Sequence, residues 1–99
     1  MTNQYDFQIR ERSWLARLGA WKLGTRRMAM TIGSTIYLYN TTREEFLSDT
    51  LWVKHELTHV RQFKRYGFWN FIFRYTFESI KTGYYNNKYE VEAREAEKA

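Results

Sequence analysis

The spacing of apolar residues changes period along the chain. In RERSWLARLGAWKLGTRR, residues 10–27, Trp14, Leu15, Leu18 and Trp21 recur at helical spacing, so one face of a helix there is apolar. The next segment, MAMTIGSTIYLY (28–39), reads as two short strands joined by Gly33-Ser34. Glycine at the first loop position suits a type II′ hairpin turn. A less regular turn before a single strand, Thr35 to Tyr39, fits the same residues. Thr42 with Glu45 three residues on is a capping-box pattern. It opens a helix from about Arg43 to Tyr66, with a break allowed near Ser48-Asp49 and a stop at Gly67. A strongly aromatic helix, about Phe68 to Lys81, follows. TGYYNN then interrupts the chain before a charged final helix, KYEVEAREAEKA. Helix, short strands, then three helices is an α+β layout: about four helices with a short β-hairpin or small sheet.

At 99 residues the chain has room for one domain, 1–99, and a modest core. Apolar residues make up 43% and aromatic residues 19%, enough to favour a packed globule over disorder. The absence of cysteine excludes both a disulfide framework and a thiolate metal site. The N-terminus is polar and mixed in charge, without the apolar core of a secretory signal. The longest apolar stretch, YGFWNFIF, is far short of a membrane span. A cytoplasmic chain without a membrane span is therefore expected, export by a route without a cleaved signal being left open.

The net charge of +5 is concentrated in residues 10–27, which gives the first helix two readings. It is either a basic amphipathic helix that touches anionic membrane or nucleic acid, or a helix that docks its aromatic face on the core with arginines outside. The second is expected, because apolar residues at this spacing usually mark a core face. With 11 acidic residues and dispersed basic ones, the chain lacks a nucleic-acid footprint.

Both histidines of the chain lie in VKHELTHVRQ, residues 53–62. His55 and His59, at i and i+4, lie on one side of a helix, where two imidazoles can converge on one ion. HExxH is the zincin zinc motif. Glu56, next to the first ligand, is placed to take a proton from water and pass it to a leaving nitrogen. A catalytic zinc normally has three protein ligands. With neither a third His nor a Cys, a carboxylate must complete the set. The last helix offers Glu90, Glu92, Glu95 and Glu97; Glu90 is the first choice and Glu92 the second.

HELTH followed by a glutamate on a later helix resembles the gluzincin class of zinc metallopeptidases. Residues 28–97 look like very small bacterial gluzincin-like domains that keep a minimal catalytic core; the shared pattern is HELxHVxQ, an aromatic connecting helix, then N-x-x-E-x-E-A. The resemblance implies a zincin-like fold, one Zn²⁺ per chain held by His55, His59 and Glu90, and Glu56 as catalytic base. The third ligand in related families is the first glutamate of E-x-x-A, here Glu90 before Val91, Glu92 and Ala93. The resemblance also implies that strand Thr35 to Tyr39 edges the cleft, where an extended peptide or protein substrate pairs by β-augmentation. Many gluzincins carry an Asp after the ligand glutamate to orient a histidine; this chain has Arg94 there. Tyr84, Tyr85 and Tyr89 are candidates for an oxyanion donor. Three functions follow: a zinc-dependent peptidase, a zinc-binding structural or interaction module without catalysis, and a basic membrane- or nucleic-acid-binding domain. The sequence sets no oligomeric state.

Overall fold

The computed structural model describes residues 7–98. In chain order these form β1 (Gln8–Arg10), α1 (Trp14–Leu23), β2 (Met28–Ile32), β3 (Thr35–Tyr39), α2 (Arg43–Ser48), α3 (Thr50–Tyr66), α4 (Phe68–Thr82) and α5 (Lys88–Ala96). This is a small α+β fold. Among the described residues, no helix is long and apolar enough to cross a membrane.

The predicted hairpin is present. β2 runs antiparallel to β3, with Ile32 opposite Thr35 across Gly33-Ser34. Gly33 has φ 67°, whereas Ser34 is not among the residues with positive φ, and this is the type II′ pattern. β3 buries Ile36 and Leu38 on one face and turns its other residues outward, the alternation of a strand with one core face. The strand missing from the sequence reading is β1. It pairs in parallel with β3, Gln8 against Thr35 through Arg10 against Tyr37, and makes the sheet order β1-β3-β2. β3 is therefore central, and both of its hydrogen-bonding edges are occupied. The expected peptide track along Thr35–Tyr39 is corrected on that ground: among the described residues, the edge left open beside the functional residues is that of β2.

The long predicted helix divides at Asp49, whose backbone is extended (φ −94°, ψ 90°). Asp49 ends α2 and begins α3, its carboxylate accepting the Trp52 amide at 3.1 Å. Thr42 and Glu45 complete the capping box with both reciprocal bonds. α3 then serves two cores. Val60, with Leu57 and Val53, packs toward Ala29, Ile36, Leu38 and Phe46. Phe63 joins Phe71 and Tyr89 in an aromatic cluster between α4 and α5.

α1 docks the opposite way from the expectation. Ala16 and Ala20 are its buried residues. Trp14 and Trp21 are 72% and 77% exposed. The reason is steric. The alanines and Gly19 let the helix lie close against the sheet, to the point that a Cβ at Gly19 would sit 3.5 Å from the Met28 side chain. An indole on that face has no room.

Candidate metal centre

Three elements assemble the site. α3 carries His55, Glu56 and His59; α5 carries Glu90; β2 carries Thr31. Each is fixed by local chemistry. Asn87, fully buried, caps α5 by accepting the Tyr89 amide at 2.8 Å. Its amide nitrogen donates to the Tyr75 carbonyl (3.0 Å) and the Ser79 hydroxyl (2.8 Å) of α4. The start of α5 is thus pinned to α4, and Glu90 in its first turn is aimed at α3.

Ligand atoms of His55, His59 and Glu90 all lie within 4.8 Å of one another, close enough to hold a metal ion. Glu90 spans the two imidazoles: Oε1 is 3.1 Å from His55 Nε2, and Oε2 is 3.2 Å from His59 Nε2. A tetrahedral zinc with ligand bonds of about 2.0–2.2 Å separates neighbouring donors by about 3.3–3.6 Å. The cluster is within a few tenths of an ångström of that spacing, and the donor set of two imidazoles and a carboxylate suits the ion.

The far sides of the rings fix their tautomers. His55 Nδ1 lies 2.7 Å from Glu97 Oε2. A carboxylate only accepts, so Nδ1 carries a hydrogen, and Nε2 turns a lone pair to the centre once the proton it shares with Glu90 is displaced. For His59 the partner is Gln62 Oε1, at 2.8 Å. Gln62 cannot reverse its amide, because its nitrogen donates to the Tyr89 carbonyl (3.1 Å) and to Glu92 Oε1 (2.7 Å). The oxygen must face His59, so Nδ1 donates, and Nε2, facing Glu90, is again the atom that can ligate on losing its proton. Glu92, the second choice as third ligand, thus lies away from the cluster and acts on His59 through Gln62.

The charges are tightly coupled. Burial disfavours a charged His55, but its bond to Glu90, the Glu56 charge and the bond to Glu97 outweigh this and lift its pKa to about 9. His59 is raised in the same way, burial being outweighed chiefly by Glu90. Burial alone would raise Glu90, yet its bonds to both imidazoles and to the Tyr75 hydroxyl hold it well below the usual carboxylate range. Burial raises Glu56, partly offset by His59 and Thr31. Without a metal the site stores protons on its histidines.

Glu56 is buried, and its Oε1 accepts the Thr31 hydroxyl at 2.7 Å. It lines a pocket of about 330 Å³ together with His59, Glu90, Tyr75 and Tyr84. All five residues of β2 form one wall, while Phe71, Ile72 and Tyr75 of α4 contribute to the lining. Tyr75 donates its hydroxyl to Glu90 Oε2. Burial and the Glu90 charge hold that phenol protonated far above its ordinary range. The three tyrosines singled out in sequence separate: Tyr84 lines the pocket, Tyr89 belongs to the aromatic cluster, and Tyr85 lies under the Arg94 guanidinium, 4.0 Å from its ring centre.

Sequence reasoning gave no site role to Thr31, Gln62 or Tyr75, and weighed Glu97 only as a possible third ligand. Two left a signal. Gln62 follows His59 by three residues and shares its helix face. Glu97 follows Glu90 by seven, two turns further on, and so reaches the same helix face of α3, where it meets His55 Nδ1. Comparison of the chain with family models, with curated proteins and with solved structures returns no match.

Proposed function

We infer that the chain is a zinc-dependent, peptidase-like hydrolase, with His55, His59 and Glu90 holding one Zn²⁺ and Glu56 as general base. The observation that carries this reading is the convergence of two tautomer-fixed imidazoles and a carboxylate beside a buried glutamate in an apolar pocket. When bound, Zn²⁺ supplies a Lewis acid that polarises a carbonyl and acidifies water. The remaining work belongs to the chain. Glu56, its direction set by Thr31, takes a proton from the attacking water and returns it to the leaving nitrogen. Its raised pKa makes the first of these transfers, the uptake of the proton, easier. The unpaired edge of β2 offers backbone donors and acceptors to an extended peptide, and the adjoining apolar wall receives a large apolar side chain. Tyr84 lines the pocket and stays protonated, so it offers an O–H donor to developing negative charge, whereas Tyr75 spends its hydroxyl hydrogen on Glu90.

A second reading, a zinc-binding module without turnover, draws support from the ligands' positions. His55 and His59 on α3 and Glu90 on α5 would tie two helices together whether or not chemistry follows. Metal content measured by mass spectrometry on untagged protein, beside E90Q, E92Q and E56Q variants, separates the readings. The hydrolase requires about one zinc per chain, lost in E90Q and kept in E92Q and E56Q. It also requires cleavage somewhere in a broad peptide panel that E56Q abolishes. Zinc without any such cleavage leaves the module; no zinc removes both readings.

A further inference from the structure

α1 turns its apolar stripe to solvent. Trp14, Leu18 and Trp21 stand at i, i+4 and i+7, and all three are exposed. Arg17 and Lys22 flank the stripe, and α1 contains no acidic residue. Residues 10–27 carry six basic side chains against Glu11 alone. Glu11 is already engaged, accepting the Arg43 amide at 2.5 Å. α4 repeats the theme: Trp69, Phe73, Phe77 and Ile80 form one stripe and are 70%, 72%, 67% and 80% exposed. A stripe of that size is unusual on a monomer and marks an interaction surface. Leu23 and Gly19 of α1 line the pocket from the helix side opposite the stripe, and Thr76 of α4 lines it as well.

We propose that α1 and α4 seat this protein on an anionic membrane surface, their aromatic stripes entering the headgroup layer while the flanking cations meet lipid phosphates. Indole rings favour that layer because one edge is apolar and the N–H needs a polar partner. An apolar stripe rich in Trp and Leu, bounded by Arg and Lys, is the pattern of a helix lying in the interface plane. No described helix is long and apolar enough to cross, so the contact is superficial. Charge decides against a second copy as the occupant. A twofold contact through α1 would bring together two copies of a segment with six basic side chains and Glu11 alone. This proposal stands without the hydrolase reading, because neither stripe includes a residue of the metal cluster.

The test is co-sedimentation of the full chain with vesicles of phosphatidylcholine alone and of phosphatidylcholine mixed with phosphatidylglycerol, followed also by tryptophan emission. The mixed vesicles should bind the protein and shift its emission to the blue, and added salt should weaken binding. W14S/W21S, R17E/K22E and F73S/I80S should each weaken binding by about tenfold or more. Each should keep the wild-type far-ultraviolet circular dichroism, since all six side chains are exposed. No binding to mixed vesicles, equal binding to both vesicle types, or binding indifferent to W14S/W21S would overturn the proposal. Loss with the α1 pairs but not with F73S/I80S would overturn the two-helix seat. A lipid-free dimer dissolved by W14S/W21S, with no vesicle binding, would identify a second copy as the occupant instead.

Discussion

At the scale of single residues, the centre is built from partners that leave each imidazole one choice. Glu97 and Gln62 accept the Nδ1 hydrogens, so on each ring Nε2, which faces Glu90, is the atom that gives up its proton to an arriving ion. Removing such a partner typically costs 10–100-fold in metal affinity. E97Q should fall at the low end, because the amide oxygen still accepts; Q62L should fall at the high end, because it also strands Glu92. Competition with a chromophoric chelator measures both. E56Q should retain its metal, since Glu56 is held by Thr31 rather than by the cluster, while any hydrolysis drops by about 10²-fold or more.

At the scale of elements, the interesting cases are those where period and docking diverge. Periodicity located α1 and its stripe correctly in the chain, but a stripe alone does not say which side meets the protein. Ala16, Gly19 and Ala20 formed a rival face of small residues, and close approach to the sheet decided for it. A20L should therefore destabilise by about 1–3 kcal/mol through overpacking. W21S, by contrast, should stay within about 0.5 kcal/mol of the parent in urea unfolding. β1 escaped notice because three residues with one apolar side chain carry no period, and its parallel pairing to β3 is nonlocal. That unseen strand is what moved the open edge from β3 to β2. The break at Asp49 was readable because capping is local: its carboxylate serves an amide three residues away. D49A should cost about 0.5–2 kcal/mol. In the site, HELTH and Glu90 lay in the sequence, whereas Thr31 and Tyr75 join only through packing of β2 and α4 on α3.

At the scale of the whole molecule, protons and metal compete for one set of atoms. His55 is held at about 9 against an ordinary 6.5, a raised folded value. Its contribution to the stability of the stripped protein is therefore full below about pH 6.5 and lost as pH rises through about 9. Glu90 is depressed from 4.5, so its contribution is present above that value and lost as pH falls through the lower folded one. Protein stripped of metal should thus unfold at progressively lower urea concentration between pH 6.5 and 9. Zinc affinity should climb over the same interval, because binding must expel the imidazole protons. Calorimetry in buffers of different ionisation enthalpy should show proton release that shrinks toward pH 9.

Among the described residues, α3 is the one helix with side chains in both the sheet core and the aromatic cluster, so it is the main link between the two halves of the molecule. α5 joins α3 by Tyr89, by the Gln62 bonds and by the cluster of His55, His59 and Glu90. An ion bound there would act as a rivet on the charged helix of nine residues. Its removal should first be felt as faster amide hydrogen exchange along α5, with β2 and β3 still protected. Metal supply would then govern how often the C-terminal part of the molecule breathes, independently of any reaction at the centre.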